Sequence, residues 1–284
     1  MKNRHEFSFS QIEQDDLVHV AAEKTKKLFA ANAIQVEEFR SRYGDVRVDR
    51  ARAYEEECEA GFEKETNPVV RNSMELGLIL EGLVYDGEKN DWFGENGFTV
   101  KTSRYDDYKN KTDVVLVLKE AEGKTHLALA IDVVSSKNVT PKFAQTFEAV
   151  TKGELSRVEY FREKTHEGEE SDFLGELQNV PKVVIGAEAQ TVRELAESWV
   201  EEKNSVLATH FVQFQILEQI LLQCETFAAL ATTRHQPLVA EKYKQTGQVI
   251  SRILDAKNTK VKDTGERDGV HSVIKAELDR LNHS

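Results

Sequence analysis

Cysteine, proline and glycine are scarce in this sequence. Its 284 residues include 2 cysteines, 4 prolines and 15 glycines, which excludes collagen-like, proline-rich and glycine-rich chains. The two cysteines, Cys58 and Cys224, form no CxxC pair, so a zinc ribbon is excluded and a disulfide framework is not expected. We expect both thiols to be reduced, as in a cytoplasmic protein.

Long apolar runs and an excess of positive charge are also missing. No run of about 18 apolar residues occurs, and the polar start of the chain carries no signal-peptide pattern, so we expect a soluble, cytoplasmic protein without membrane contact. Lysine and arginine number 38 against 50 aspartates and glutamates, a net charge of −12. Such a surface repels a phosphate backbone as a whole, so a nucleic-acid site has to be a local basic patch or a metal site.

The best-known catalytic and nucleotide-binding motifs are absent. The sequence contains no GxxxxGK[ST], no GxGxxG after a strand, no GxSxG and no HExxH. These absences exclude a P-loop, a dinucleotide-binding fingerprint, a nucleophile elbow and a zincin helix.

The hydrophobic pattern divides the chain into three regions. Residues 1–66 predict an N-terminal helical arm that is helical throughout from residue 8. Residues 67–190 predict an α/β core, and residues 191–284 predict a C-terminal helical region that packs on the core.

The central region contains the strand signals. Segments rich in β-branched or apolar residues predict four strands, at 98–102, 113–118, 126–134 and 179–186. The second and third should form an antiparallel hairpin around a turn at 120–124, and their near-continuous apolar runs predict a sheet covered on both faces. A largely apolar helix at 69–90 precedes them, and another helix begins near Pro141. The fold class is therefore α/β (α+β), with a mixed sheet flanked by helices.

Two aspartates in this hairpin need an explanation. Asp113 opens the second strand, and Asp132 stands between apolar neighbours in the third. A lone ionised carboxylate is very costly to bury unless it is paired or binds a metal. Carboxylates suit hard cations such as Mg²⁺ or Mn²⁺, which activate water and neutralise phosphoryl charge.

The order of these elements resembles the PD-(D/E)XK nuclease-like superfamily over residues 69–190. The resemblance implies a restriction-endonuclease-like core in which a helical glutamate and two strand carboxylates surround Mg²⁺ (or Mn²⁺), with a lysine two positions after the second carboxylate. Asp113 and Asp132 match the two strand positions. The implied activity is phosphodiester hydrolysis on a nucleic acid, DNA more than RNA.

The lysine position departs from the family pattern. Val134 stands two residues after Asp132, and because this lysine migrates within the family, the resemblance assigns its role to Lys137, with Lys142 next along the chain. The alternative is that Lys137 is a solvated lysine at the end of the strand. In a regular strand residue 137 points away from the face of residue 132. A bend at Ser135-Ser136 is therefore required.

For the helical glutamate we prefer Glu81 to Glu75, because Glu81 lies in the more apolar part of its helix; the alternative is that both face solvent. The predicted catalytic residues are Asp113, Asp132, Lys137 and Glu81. The predicted metal ligands are Asp113, Asp132 and Glu81.

The segment 103–108 holds a second acidic cluster, Asp106-Asp107. We favour a polar turn here, and the alternative is that one of these aspartates adds a carboxylate to the site. Several basic residues near the proposed site, with two tyrosines interleaved, form either a phosphate-contact surface or ordinary surface charge. They are Lys101, Arg104, Tyr105, Tyr108, Lys109, Lys111, Lys137 and Lys142.

Two functions remain open from the sequence. The first is a metal-dependent nuclease. The second is an inactive nuclease-fold protein that binds a partner or a second copy of itself, as a homodimer, through its helical flanks. A nucleotidyltransferase is disfavoured because no Gly-Ser pair precedes Asp106 or Asp113.

Overall fold

The computed structural model describes residues 3–95, 97–119, 126–164 and 170–282. Within these ranges the chain is mixed α/β, which confirms the predicted fold class. The helices are α1 (Asn3–Asn32), α2 (Arg40–Tyr43), α3 (Asp45–Glu63), α4 (Pro68–Asp86), α5 (Arg104–Asn110), α6 (Thr140–Lys152), α7 (Ala189–Val200), α8 (Asn204–Leu207), α9 (Val212–Thr233), α10 (Pro237–Lys260) and α11 (Gly269–Asn282), with short 3₁₀ helices at Val36–Phe39 and Gly87–Asn90. The strands are β1 (Gly97–Lys101), β2 (Val114–Lys119), β3 (His126–Val134), β4 (Ser156–Lys164), β5 (Glu170–Val180) and β6 (Lys182–Gly186).

The N-terminal region is helical but not continuous, contrary to the prediction. The chain leaves α1 after Asn32 and passes through the 3₁₀ helix and α2 before α3 begins. Gly44 separates α2 from α3 with φ of +74°, a conformation that glycine adopts without the steric cost of a Cβ.

Four strands form the central sheet in the order β1-β2-β3-β6. The β1/β2 and β2/β3 pairs are antiparallel and β3/β6 is parallel, so the predicted hairpin is confirmed; its predicted turn at 120–124 lies outside the described residues. A parallel pair needs a crossover connection, and this one contains α6 and a hairpin of β4 and β5. That hairpin was not predicted.

Both faces of the sheet are buried, as predicted. Alternate residues of a strand point to opposite faces, and here they enter two different cores. The larger core receives Leu116, Leu118, Leu129 and Ile131 together with residues of α1, α4, α7, α9, α10 and α11. The smaller core receives Phe98, Val100, Val115 and Val117, which pack against the 34–51 segment and β4. The larger core thus contains residues from all three predicted regions.

Glutamines of α9 cover the outer edge of β6. The Gln223 side chain accepts a hydrogen bond from Val184 N at 2.8 Å and donates one to Val184 O at 2.7 Å. The Gln219 side chain makes the same two contacts with Gly186, both at 2.9 Å. These amides replace a neighbouring strand, so the edge is satisfied without exposing a pairing surface.

Among the helices of the described ranges, none has the length and apolarity that crossing a bilayer requires.

Candidate metal centre

The helix α4 positions Glu81 beside the sheet. Pro68 occupies its first turn, and Asn67 caps it by accepting a hydrogen bond from Val69 N at 3.0 Å. The neighbouring residues Leu80 and Leu83 are buried in the larger core. This packing fixes the helix and leaves the Glu81 side chain 18 % exposed at the end of β1.

The segment expected to be a turn is the helix α5, and its two aspartates have different roles. Ser103 caps α5 by accepting a hydrogen bond from Asp106 N at 3.1 Å. The buried Asp106 carboxylate accepts hydrogen bonds from Glu159 N at 2.7 Å and Tyr160 N at 3.0 Å, so it fastens α5 to β4. Asp107, about 100° further round the helix, joins Glu81.

Three carboxylates converge at this point. One oxygen each of Glu81, Asp107 and Asp113 lie within 4.8 Å of one another. Asp113 is held by its place at the start of β2 and accepts a hydrogen bond from Val133 N at 2.6 Å. We call Glu81, Asp107 and Asp113 the carboxylate triad.

The ammonium group of Lys101 lies against this triad. Its Nζ is 2.9 Å from Asp107 Oδ2 and 3.3 Å from Glu81 Oε2, and its side chain is only 5 % exposed. Lys101 ends β1, and the sheet register places it opposite Val114, the residue after Asp113. One buried cation therefore already offsets part of the triad's charge.

Asp132 is held by two lysines instead. The Lys142 ammonium donates hydrogen bonds to Asp132 Oδ1 and, at 3.0 Å, to Val133 O. Lys182 Nζ lies 3.4 Å from Asp132 Oδ2. Lys142 is 36 % exposed whereas Asp132 is 4 % exposed, so the lysine is the member of this group that solvent reaches.

Burial and mutual repulsion raise the pKa values of two carboxyl groups of the triad, Glu81 and Asp113. Burial raises the pKa of Glu81 to about 7, although Lys101 opposes the rise. Burial, reinforced by the negative charges of Glu81 and Asp107, raises the pKa of Asp113 well above its usual range. The positive charge near these two carboxyl groups is too small to offset burial and repulsion. An added cation would favour their ionised forms and lower their pKa values.

The pKa values of the three lysines do not all shift in the same direction. Burial works to lower the pKa of Lys101, but Asp107 and Glu81 outweigh it and hold that pKa above its ordinary value. The pKa of Lys142 is raised in the same way, by Asp132 against burial. For Lys182 burial prevails over Asp132 and the pKa is lowered.

The triad is chemically suited to a hard divalent cation. Carboxylate oxygens are the ligands that Mg²⁺ and Mn²⁺ prefer, and three of them already face a common point. The Lys101 ammonium hinders metal binding, because a metal ion would have to replace its contacts with Glu81 and Asp107. The residues fit the ion if the ammonium moves aside.

The structure brings together some of the predicted residues and separates others. Glu81 and Asp113 meet, as the resemblance implied. Asp132 is ion-paired with lysines and lies outside the triad, in which Asp107 takes the third place. Lys137 is 62 % exposed and its described ion pair is with Glu188, at 2.6 Å; the lysines that contact Asp132 are Lys142 and Lys182.

Comparison of the chain with family models, with curated proteins and with solved structures finds no match.

Proposed function

We propose that this protein is a metal-dependent nuclease of the PD-(D/E)XK type that hydrolyses phosphodiester bonds in a nucleic acid, DNA more than RNA. The observation that carries the proposal is the carboxylate triad lying beside the Asp132–Lys142 ion pair, since Asp113 and Lys142 bind the N–H and the carbonyl of the same residue, Val133. Three hard ligands and an adjacent accessible ammonium are what a site for a divalent cation and a phosphate requires.

The order of elements supports the same reading. A helix bearing Glu81 precedes three antiparallel strands, and Asp113 immediately precedes the second of them; a crossover with α6 leads to a parallel fourth strand. A helical glutamate, two strand aspartates and a following helix in this order are the features on which the resemblance to a restriction-endonuclease-like core depends, and they support the proposal.

In this proposal the carboxylates and the lysine have separate roles. Glu81, Asp107 and Asp113 would hold Mg²⁺ or Mn²⁺, which when bound supplies charge neutralisation and water activation at the scissile phosphate. Asp132 orients Lys142, and the Lys142 ammonium stabilises the negative charge that develops on the phosphate oxygens. Lys142 thereby replaces Lys137 in the role that the resemblance assigned.

Cleavage of labelled DNA and RNA, single- and double-stranded, with Mg²⁺ and with Mn²⁺ tests the proposal. Asp113→Asn should abolish cleavage. Lys142→Met should lower its rate by about a hundredfold or more, whereas Lys137→Met should leave it near wild type. Unchanged cleavage in folded Asp113→Asn contradicts the proposed site, and a larger loss in Lys137→Met than in Lys142→Met contradicts the reassignment of the lysine.

The position of Lys101 favours the second function, an inactive nuclease-fold protein that binds a partner. Its ammonium already satisfies Glu81 and Asp107, as a cation would in an active site. Under this alternative no member of the cleavage panel is cut, and divalent cations leave the melting temperature unchanged. Sedimentation then tests whether the partner is a second copy, as the predicted homodimer requires.

A further inference from the structure

The side of α5 that faces away from the triad borders a cleft. Residues two apart on a helix do not share a face, so Tyr105 and Lys109 point away from Asp107. Both line a cleft of about 520 Å³ that α5 forms with α3 and β4. Its volume falls within the ~300–1,000 Å³ of small-molecule sites.

Tyrosines form the wall of this cleft. Tyr43 contacts Tyr160, Tyr160 contacts Tyr105, and Tyr105 contacts Tyr54, with ring centroids 5.6, 5.3 and 5.7 Å apart and all in edge-to-face geometry. Tyr160 is buried, but the other three are partly exposed. The wall therefore offers aromatic surface to a ligand in addition to packing against itself.

Positive charge is concentrated at the same place. Arg47, Arg50 and Lys109 line the cleft, and Glu159 is its acidic residue. Glu159 is already neutralised, because Arg47 lies 3.0 Å and Arg157 2.9 Å from its carboxylate.

The other two cationic residues that line the cleft are Arg50 and Lys109. Within the described part of the chain neither Arg50 nor Lys109 forms an ion pair, and both are exposed. In a protein of net charge −12, two such cations beside one cavity make a local exception to the repulsion of anions.

We propose that this cleft binds a nucleotide, with the base against Tyr54 and Tyr105 and the phosphate between Arg50 and Lys109. A nucleotide combines a flat aromatic body with a negative group, and stacking on aromatic side chains beside basic residues is how proteins hold single bases. Lys109 Nζ lies 5.4 Å from the centroid of the Tyr54 ring, so the cation and the stacking surface are already neighbours.

This site goes beyond the proposed cleavage activity and does not depend on it. The nucleotide has two sources, a free mononucleotide or one residue of a single strand. In the second case the strand lies one helix width, about 10–12 Å, from the triad, and the cleft becomes a substrate-positioning site.

Binding is measured by calorimetry and fluorescence anisotropy in EDTA, so that loss of metal or of cleavage does not affect the result. The probes are AMP, dTMP, inorganic phosphate, and a labelled oligothymidylate of about ten residues. Arg50→Glu/Lys109→Glu is compared with Arg252→Glu/Lys244→Glu, a control with the same charge change on exposed residues of α10. All four positions are exposed, and circular dichroism verifies the fold of both variants.

We expect a nucleotide probe to bind the wild type, with affinity at least tenfold lower in the cleft variant and unchanged in the control. Mononucleotide binding identifies a free-nucleotide site, and binding of the oligomer alone identifies a strand-binding site. Tyr54→Leu, which keeps both cations, should reduce nucleotide binding to the level of inorganic phosphate. Absence of binding by every nucleotide probe, equal loss in the two double variants, or unchanged nucleotide affinity in Tyr54→Leu overturns the proposal.

Discussion

Replacing Lys101 with methionine tests whether its ammonium and a divalent cation compete for the same carboxylates. The change removes the buried partner of Glu81 and Asp107, which lie 3.3 and 2.9 Å from Nζ, while methionine keeps most of the side-chain volume. Removing one partner of a buried ion pair costs ~3–5 kcal/mol, because the other charge remains buried without compensation. We expect the lower end, about 3 kcal/mol at pH 8, because Glu81 can take up a proton.

The pH dependence of this loss has a defined sign. The pKa of Glu81 is raised to about 7 while Lys101 opposes the rise, so the variant should raise it further. A carboxyl group with a raised folded-state pKa contributes stability that is lost as the pH rises through that pKa. The Lys101→Met destabilisation should therefore be larger at about pH 8 than at about pH 6.

Urea unfolding and thermal melting measure the effect. A loss of ~3 kcal/mol corresponds to a decrease in Tm of roughly 5 °C for a chain of this size. Millimolar Mg²⁺ should restore more stability to Lys101→Met than it adds to the wild type, because the ion no longer displaces an ammonium. Lys89→Met, whose side chain is 71 % exposed, is the control and should stay within about 0.5 kcal/mol of wild type. Wild-type stability of Lys101→Met at pH 8, or an equal response of both proteins to Mg²⁺, refutes the reasoning.

Two further predictions concern the scaffold. Gln223→Leu leaves both backbone groups of Val184 without partners and should cost about 2–4 kcal/mol in urea unfolding, whereas Gln248→Leu on exposed surface should cost little; equal effects contradict the edge-covering role. The Glu55 carboxylate accepts a hydrogen bond from Tyr105 N at 2.7 Å, and burial raises its pKa to about 7. The contribution of Glu55 to the free energy of unfolding is therefore full below about pH 4.5 and is lost as the pH rises through 7. Glu55→Gln should stabilise the protein by about 1 kcal/mol at pH 8, after a discount for solvent screening, and by almost nothing at pH 4.5; a gain independent of pH contradicts this.

The hairpin and its aspartates were predictable because their signals are local. Apolar, β-branched runs identify β2 and β3. Asp113 and Asp132 are conspicuous because a charged residue is unusual among such neighbours. The strands β4 and β5 were missed because they are rich in charged residues and their pairing is irregular, with shifts of register between them. Their contribution to the smaller core becomes visible only once Tyr160 and Phe161 are seen to pack there.

The roles of Asp107 and Lys142 could be recognised only from the tertiary structure. The helix α5 is seven residues long, too short for a periodic apolar pattern, although Ser103 as N-cap followed by acidic residues in the first turn is a helix-start signal that would have predicted it. Proximity along the chain favoured Lys137 over Lys142. The turn from β3 into α6 reverses the chain, so the first turn of α6 brings Lys142 back to Asp132 while Lys137 reaches Glu188.

The most direct test of the central claim is a titration with Mn²⁺ followed by electron paramagnetic resonance, which counts bound ions without requiring a substrate. We predict that the wild type binds Mn²⁺ and that Mg²⁺ competes for it. Asp113→Asn should lose this binding, Lys101→Met should bind more tightly, and Lys137→Met should bind as the wild type does. No bound Mn²⁺ in the folded wild type, or binding that survives Asp113→Asn unchanged, would contradict the assignment of Glu81, Asp107 and Asp113 as a metal site.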